Sequence, residues 1–422
     1  MEFLGMQVID KFSDDSTFQD PYEYYELLRK EAPIFFSETL RAYVITRFKE
    51  AQAVVQDDDL YSSAPPTDGT GPMAGFASQY FSMYLDAGLP TRIATVTSDG
   101  ETHLRYRGML QPFFSPESCR RLEPSIRSIV DRLIDQFAPS GAVDIYRDFC
   151  LLVPLYVICE MLGLPETEVS LMQRAGNAST DLAGGTILTD ADRRDRHATL
   201  IEFFLFFRKH INECRQRRTD TLLDHLIHAT TRQGDYLTEQ ELLSLAATLN
   251  VGGNETTTNG LGNMMLHLLT NEGMEARLRA NRAEIDAFIE ESLRLESPVS
   301  ALIRWSTRET QIGGHRIPKG ACIHVRIPAV NRDAAKFPDP TEFELHRKAL
   351  RSHMAFGLGI HYCVGSPLAR LELKIAMNRV LDRLENLKLS IDADEIPYAR
   401  KTHVRAVRTL PITFAQRAHT DS

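Results

Sequence analysis

One cysteine set among closely spaced glycines constrains the fold of this chain more than any other feature of its sequence. The stretch AFGLGIHYCVGSPLARLE, residues 355–372, surrounds Cys363 with Gly357, Gly359 and Gly365. Glycines let a backbone turn tightly and lie against a flat object, because no Cβ atoms stand in the way. We therefore expect this loop to hold its thiol close to a flat bound group.

The residues after the loop predict a helix that begins beside the thiol. SPLARLELKIAM (366–377) offers Ser366 as N-cap and Pro367 in the first turn. A helix N-terminus near Cys363 favours the thiolate, which is the metal-binding form. A lone cysteine is most often a small buried hydrophobe, and no second thiol or histidine stands at zinc-finger spacing. The glycine clearance instead suits a single thiolate on haem iron.

Charge and cysteine usage narrow the class of protein. The 422 residues carry 48 Lys and Arg against 57 Asp and Glu, a formal net charge of −9 without a long basic run, so nucleic acid is not an expected partner. Six scattered cysteines suit reduced thiols better than a disulfide framework. The most apolar segment (149–159) is about half the length of a membrane span, which needs about 20 residues, and the N-terminus lacks a signal peptide. We expect a soluble cytoplasmic protein without a membrane anchor.

The pattern along the chain favours one domain over residues 1–422, because no linker, repeat or charge block divides it. Strand patterns are few. RAYVITRF (41–48) is one, and RETQIGGHRIPKGACIHV (308–325) contains Gly313-Gly314, a hairpin-turn signal. Most of the remaining sequence has helical periodicity. We predict a mainly α fold with small β-sheets.

The longest helix candidate, residues 237–270, is poorly suited to a helix at its centre. Thr238 and Glu241 have capping-box spacing at its start. Gly252 and Gly253 each cost about 1 kcal/mol relative to alanine, and three β-branched threonines follow. One interpretation is a loop between two helices. The other is a helix loosened at mid-length, where a ligand approaches its backbone.

A further helix is expected in AEIDAFIEESLRLESPV (283–299). Its apolar positions repeat at helical spacing and should face the core: Ile285, Phe288, Ile289 and Leu293. Glu291 and Arg294 lie three residues apart on another side. Taken alone, they are an ordinary exposed ion pair worth a few tenths of a kcal/mol.

Five segments, in the same order along the chain, resemble motifs of the cytochrome P-450 monooxygenases. FGLGIHYCVG is similar to the family's haem-binding signature, GGNETT (252–257) to the oxygen-activating motif of its long central helix, and Glu291-Ser-Leu-Arg294 to its Glu-x-x-Arg pair. NRDAAKFPDPTEFELHR (331–347) resembles the segment ahead of the cysteine loop, and THLRYR (102–107) the helix that meets the haem propionates. The start of the chain is similar to that of the soluble bacterial members. The likeness spans nearly the whole chain.

This resemblance implies haem b (iron protoporphyrin IX), bound between the long central helix and the helix after the cysteine loop. Cys363 would be the proximal iron ligand, with Phe356 beside its sulfur. Four side chains would bind the propionates: His103, Arg107, Arg304 and His361. Asp99-Gly100 stands where many members carry Asp-Pro-Pro, so the closure of the loop ahead of the propionate helix is expected to differ.

The resemblance assigns the remaining motifs to the central helix and to the fold. Gly252 and Gly253 would form the oxygen-binding kink. Glu291, Arg294 and Arg347 would form an ion network that locks the fold, in place of the exposed pair.

The implied activity is a monooxygenase that inserts one atom of dioxygen into an apolar, small-to-medium organic substrate. Thr256 and Glu255 would deliver protons to dioxygen. Two electrons would come from an external ferredoxin and its ferredoxin reductase. Arg370 is expected to be either a docking contact for that partner or a solvated helix residue. Three valines would face the substrate beneath a loop at residues 73–89: Val251, Val299 and Val404.

Three other functions stay open on the sequence alone. A haem-thiolate protein can catalyse isomerisation, dehydration or peroxide-driven oxidation, although the acid–alcohol pair Glu255-Thr256 favours oxygen insertion. A haem sensor or electron carrier is a second class, and a cysteine-nucleophile hydrolase is a third. Haem content after purification and substrate turnover with NAD(P)H would separate them.

Overall fold

Helices dominate the computed structural model, which describes residues 8–66, 83–91, 95–182 and 188–417. In chain order they are α1 (Asp15–Gln19), α2 (Tyr22–Glu31), α3 (Phe48–Gln56), α4 (Gly100–Leu110), α5 (Pro116–Arg121), α6 (Glu123–Phe137), α7 (Leu152–Leu162), α8 (Val169–Thr180), α9 (Asp190–Gln216), α10 (Leu222–His228), α11 (Glu239–Gly253), α12 (Glu255–Thr270), α13 (Met274–Ala280), α14 (Ile285–Leu295), α15 (Ile327–Val330) and α16 (Ser366–Arg383). The predicted mainly α class is confirmed.

The strands are short and form small sheets. They are β1 (Ile34–Ser37), β2 (Ala42–Ile45), β3 (Tyr61–Ser62), β4 (Ala142–Asp144), β5 (Ala301–Ser306), β6 (Thr310–Ile312), β7 (His315–Ile317), β8 (Cys322–Arg326), β9 (Leu384–Leu389) and β10 (Pro411–Gln416). A five-stranded sheet has the order β1-β2-β8-β5-β3, in which only β2 and β8 run parallel, and a three-stranded sheet has the order β4-β10-β9.

The hairpin β6–β7 confirms the turn predicted at Gly313-Gly314. Both glycines have positive φ, +53° and +84°, which suits a tight two-residue turn. A Cβ atom on Gly313 would stand 2.6 Å from the side chain of Ile34, so a larger residue would also clash there.

The predicted central helix is two helices that meet at one residue. Thr238 caps α11 with the predicted capping box to Glu241. Asn254, with φ −94° and ψ −77°, ends α11 and begins α12. A single irregular residue is not a loop, so the interpretation as a helix loosened at mid-length is confirmed.

The main hydrophobic core lies among the helices, and α11 and α12 run through it. The predicted apolar face of α14 belongs to this core, because Ile285, Phe288, Ile289 and Leu293 are at most 4% exposed. A second cluster fills the space between α3 and the five-stranded sheet, and a third joins α2 to β2. Within the described ranges, no helix combines the length and apolar character of a membrane span.

Candidate functional site

The cysteine loop is a tight backbone turn that the glycines make possible. Gly357 and Gly359 have φ of +71° and +69°, a region that L side chains rarely adopt. A Cβ on Gly359 would stand 3.1 Å from the carbonyl oxygen of Val55. The amide of Cys363 donates to the carbonyl of Phe356 at 2.9 Å, which closes the turn. The predicted tight turn is therefore present, and the contact of this loop with a flat bound group stays a prediction.

The sulfur of Cys363 lies at the start of α16. Gly365 is the N-cap, and a Cβ on it would stand 3.9 Å from Cys363 Sγ. The predicted cap at Ser366 is wrong, because Ser366 is already the first helical residue and is buried. Pro367 lies in the first turn as predicted. The N-terminus of this helix thus faces the thiol.

Two opposing influences act on the Cys363 thiol. Burial raises its pKa, while the backbone N–H groups of Gly365 and Ser366 and the cations of Arg107 and Arg370 act in the opposite direction. Burial disfavours a bare thiolate, whereas the donors and cations would stabilise the thiolate of a ligated metal. The described chain has no group of three or more His, Cys, Asp or Glu side chains placed to hold a metal ion, so Cys363 would act as a lone ligand.

Phe356 belongs to the cysteine loop, and the side chain of an arginine stacks on its ring. Arg370 has its guanidinium carbon 4.3 Å from the centre of the Phe356 ring. It also pairs with the buried carboxylate of Glu290 at 2.5 and 3.0 Å and reaches the Tyr362 hydroxyl at 3.2 Å. The alternative of a solvated helix residue is therefore wrong. A docking role for Arg370 stays a prediction.

The four predicted propionate residues converge on one side of the loop. The rings of His103 and His361 lie 4.1 Å apart, centre to centre. His361 Nε2 is 3.4 Å from the carboxylate oxygen Oδ1 of Asp99. Arg304 is buried, and its positive charge lowers the pKa of His361. Arg107 donates to the carbonyl of Tyr362 at 2.5 Å. Arg304 lies 197 positions after Arg107, and His361 lies a further 57 positions on, so the fold brings three separate segments together.

Both ring nitrogens of His103 face backbone carbonyls. Nδ1 lies 3.1 Å from the oxygen of Thr95, and Nε2 lies 3.2 Å from the oxygen of Ile360. His103 therefore links α4 to the cysteine loop through a hydrogen bond. Its contact with a propionate stays a prediction.

Burial and cationic neighbours leave this cluster poorly compensated. Burial lowers the pKa of His361 to about 4, and His103 and Arg304 act in the same direction. Burial also lowers the pKa of the Arg304 guanidinium, against the opposing charge of Asp99. Carboxylates placed here would supply an anionic partner for the Arg304 guanidinium, and the neutral His361 could donate a hydrogen bond to them.

Asp99 holds the start of α4, in the loop whose closure is expected to differ because Asp99-Gly100 replaces Asp-Pro-Pro. Its carboxylate accepts from the Ser62 hydroxyl and from the amides of Ser63 and Ala64, at 2.5 to 3.2 Å. Burial would raise the pKa of Asp99, but these bonds and His361 outweigh it and lower the pKa. Gly100, with φ +54°, lets α4 begin immediately afterwards.

The break between α11 and α12 leaves open space on one side. A Cβ on Gly252 would meet no atom within 4 Å, although its helix crosses the core. Thr256 donates its hydroxyl to the carbonyl of Gly252 at 2.8 Å, one turn back. The alcohol therefore lies at the kink, as the spacing predicted.

Glu255 is held by a cation that the sequence did not reveal. Its Oε1 lies 2.9 Å from Lys401 Nζ, and Lys401 also lies 3.5 Å from Asp181. Glu255 and Lys401 are 146 positions apart and belong to no shared motif. Sequence patterns report neighbours on one element, so no signal could have paired them.

Two of the three predicted substrate residues pair with each other. Val299 and Val404 form an antiparallel bridge, and Val404 is 5% exposed. Val251 precedes Gly252 on α11 and is half-buried. Most of the predicted roof, residues 73–89, lies outside the described residues.

The Glu-x-x-Arg pair is buried, so the exposed-pair interpretation is wrong. Glu291 and Arg294 are 0% exposed and joined by two bonds of 2.7 Å. Arg347 adds a bond to Glu291 at 3.1 Å, as predicted. Arg294 further donates to the carbonyls of Asn331, Pro340 and Glu342. This network ties α14 to the segment that leads into the cysteine loop.

These residues fit the haem that the motifs predicted. A single thiol at a helix N-terminus, clearance at Gly365 and Gly252, and a cationic cluster beside the loop match an iron ligand, a flat ring and its carboxylates respectively. Cys363 would hold the iron, and Arg107, Arg304 and His361 would hold the propionates.

Comparison with known proteins agrees with this geometry. A family model described as Cytochrome P450 matches residues 185–410. The chain is similar to the 6-deoxyerythronolide B hydroxylase of Saccharopolyspora erythraea, at 31% identity over 96% of this chain and 99% of that protein. It is 29% identical to the vitamin D(3) 25-hydroxylase of Pseudonocardia autotrophica, covering 98% of each. The solved structure of cytochrome P450 PksS from Bacillus subtilis is similar with a TM-score of 0.84 and 29% identity, over 96% of this chain and 99% of that one.

Proposed function

The chain belongs to the cytochrome P450 family, whose members bind haem b through a cysteine thiolate and incorporate oxygen into organic substrates, and from that premise we propose that it hydroxylates an apolar, small-to-medium substrate with electrons from a ferredoxin. The balanced reaction takes a C–H bond, dioxygen, two electrons and two protons to an alcohol and water. When bound, haem b supplies the iron at which dioxygen is activated.

The observation that carries this proposal is the acid–alcohol pair at the helix break. Thr256 donates to the carbonyl of Gly252 at 2.8 Å, so the lone pairs of its oxygen can accept from a water or a proton carrier. Glu255 follows the break directly and can exchange protons. A thiolate protein that does not reduce dioxygen has no need for such a pair.

Other residues bind and orient rather than move protons. Cys363 holds the iron, and the cluster of Arg107, Arg304 and His361 compensates the propionates. Val251, Val299 and Val404 offer apolar surface to the substrate. The names of two relatives, hydroxylases of 6-deoxyerythronolide B and of vitamin D(3), support hydroxylation of an organic substrate as the reaction.

Electrons are proposed to arrive from a ferredoxin that a ferredoxin reductase keeps reduced. Arg351, with a side chain 70% exposed, lies 3.7 Å from Glu290, with which Arg370 also pairs. Cations on this face suit an acidic partner. A cytoplasmic location is proposed as well, because all six cysteines are unpaired.

Replacing the alcohol at the break tests the proposed function. In Thr256→Ala, we expect haem content and electron uptake to persist, because the haem-holding residues are untouched. Hydroxylated product per NAD(P)H consumed should fall severalfold while hydrogen peroxide rises, because protons are no longer organised at the break. The substrate is first found by screening apolar compounds for a shift of the haem Soret band.

Thr270→Ala is the matched control for this experiment. Thr270 lies on the same helix and makes the same hydroxyl-to-carbonyl bond, to Leu266 at 2.8 Å. Its removal should leave the product ratio unchanged. Unchanged coupling in Thr256→Ala would contradict the proposed role of the pair, and equal losses in both variants would indicate a general effect on helix stability.

A further inference from the structure

A polar cavity of about 220 Å³ lies between α8, α12 and the segment before β10. Asn254 and Thr258 line it and are 5% and 3% exposed. Asn177 and Arg408 also line it and are exposed. The cavity therefore runs from the protein surface to the residue at which the central helix breaks.

Several polar groups that line this cavity have no partner within the protein. The side chains of Gln173, Asn177 and Arg408 make no hydrogen bond or ion pair to another described residue. Glu255 Oε1 lies 2.9 Å from Lys401 Nζ, but Glu255 Oε2 is buried and has no hydrogen-bond partner among the described residues. A buried acceptor without a donor is unfavourable. The cavity thus offers both donors and acceptors to a bound molecule.

The charged groups of the lining leave one cation unpaired. Glu255 and Lys401 pair with each other. Asp181, which lies 3.5 Å from Lys401, is outside the lining and pairs with Arg196 at 2.9 Å. Arg408 has no ion-pair partner in the described part of the chain. Because a guanidinium presents a planar fork of donors that fits a carboxylate, Arg408 favours an anionic group on the ligand.

The size and remaining lining of the cavity favour a small, hydroxylated molecule. A water molecule occupies about 30 Å³ in the liquid, so the cavity has room for about seven. The Tyr146 hydroxyl donates to Asn259 at 2.9 Å and keeps lone pairs that can accept from a ligand hydroxyl. Ala399 and Val407 give a short carbon chain an apolar surface.

We propose that this cavity binds a small hydroxycarboxylate, whose carboxylate pairs with Arg408 and whose hydroxyl group donates to Oε2 of Glu255. The amides of Gln173 and Asn177 bond its remaining oxygens. D-Glycerate has this chemistry, with one carboxylate and two hydroxyl groups on a three-carbon chain. The inference goes beyond the proposed function, because it concerns a second ligand that undergoes no reaction.

Isothermal titration calorimetry of the haem-loaded protein with D-glycerate tests the site. The iron is kept reduced and bound to carbon monoxide, so that the carboxylate cannot bind at the iron instead. Glycerol lacks the carboxylate and propionate lacks the hydroxyl groups, which makes them matched probes. We expect D-glycerate to bind and each probe to bind at least about tenfold more weakly, because each probe loses one of the two polar interactions.

Variants of the lining locate the binding. Arg408→Gln should weaken the binding of D-glycerate about tenfold or more, and Arg408→Lys should weaken it less, because lysine keeps the charge but not the fork. Arg400→Gln is the matched control. Arg400 is an exposed arginine of the same segment that pairs with Asp15 and does not line the cavity, so binding should be unchanged. Ala399→Leu should abolish binding by filling the cavity, and thermal unfolding checks that this variant is folded.

Three results would overturn the proposal. Equal affinity in the native protein and in Arg408→Gln would show that the ligand binds elsewhere. No heat of binding with millimolar D-glycerate would show that the cavity is a hydrated crevice. Propionate that binds as tightly as D-glycerate would contradict the ligand class, because the hydroxyl groups would then have no role. Oxygen insertion is tested separately, by the coupling ratio of Thr256→Ala, so neither result decides the other.

Discussion

Burial and local donors compete at the sulfur of Cys363, and the outcome depends on whether a metal is present. Burial raises the pKa of the free thiol, while the N-terminus of α16, Arg107 and Arg370 favour the thiolate. The same opposition explains why one cysteine among six is suited to bind iron. The other five are buried thiols without that set of donors.

Exchanging this residue tests the ligand assignment. Cys363→His offers a neutral imidazole in place of a thiolate. We expect the reduced, carbon monoxide-bound protein to lose the strongly red-shifted Soret band that thiolate ligation gives. Cys119→Ala, at a buried cysteine whose pKa burial raises to about 11, should keep the band. Retention of the band in Cys363→His would contradict thiolate ligation by Cys363.

Single residues differ in how far the sequence predicts their role. Cys363 is recognisable because its glycines are contiguous with it, and Thr256 because its spacing from Gly252 is one helical turn. Lys401 and Asp181 are not, because the pairs of Lys401 with Glu255 and with Asp181 arise only when three distant segments pack together. The propionate role of His103 stays a prediction, and its bonds to two backbone carbonyls could not be predicted because they form only in the folded chain.

At the scale of elements, α14 carries two neighbouring acids that both lie in the core. Glu291 binds Arg294 and Arg347, while Glu290 binds His353 and Arg370. The first pair links α14 to the segment ahead of the cysteine loop, and the second links α14 to α16. Sequence periodicity predicted the apolar face of α14, but the burial of its charged side depends on what packs there.

The network around Glu291 should be costly to break. In Glu291→Gln, Arg294 would stay buried without its counter-charge, at a cost of about 3–5 kcal/mol. We expect poor folding and low haem incorporation, measured by urea unfolding and by the ratio of haem to protein. Glu26→Gln is the control. It removes an exposed pair with Lys30, with side chains 52% and 66% exposed, and should cost less than about 1 kcal/mol. A stable, fully loaded Glu291→Gln protein would overturn the structural importance of this network.

Glu290 should make part of the stability depend on pH. Burial alone would raise its pKa, but His353 and Arg370 outweigh burial and lower it to about 2. Because the folded value lies below the unfolded value of about 4.3, the contribution is complete above that pH and is lost as the pH falls toward 2. The shift corresponds to roughly 3 kcal/mol.

Urea unfolding of the native sequence and of Glu290→Gln over a pH series measures this contribution. The difference in unfolding free energy between the two proteins should be largest near neutral pH and shrink in acid. A difference that stays constant down to about pH 3 would show that Glu290 keeps no depressed pKa.

At the scale of the whole molecule, α1 is bonded to the segment before β10. Arg405, in the segment before β10, donates to the carbonyls of Phe18 and Gln19 at 2.7 and 2.9 Å and to Glu296 at 3.1 Å. Gln19 in turn donates to the carbonyl of Ile396. These bonds connect α1 and the end of α14 to the segment that carries Lys401 and Val404. The prediction of one domain over residues 1–422 requires that these parts unfold together.

Two arginines of one segment test that cooperativity, because both reach α1 but only one is buried. Arg405 is 8% exposed, and its loss would leave the buried Glu296 with Arg332 at 3.9 Å as its nearest cation. Arg400 pairs with Asp15, and their side chains are 61% and 77% exposed.

We expect Arg405→Met to lower the stability of the entire protein by about 3–5 kcal/mol, because a buried charge loses its partner, and Arg400→Met by less than about 1 kcal/mol. Thermal unfolding followed by far-ultraviolet circular dichroism and by the haem Soret band should give one coincident transition in each variant, displaced only in Arg405→Met. Two separate transitions, with the haem signal surviving the first, would mean that α1 and the segment before β10 form an independent unit.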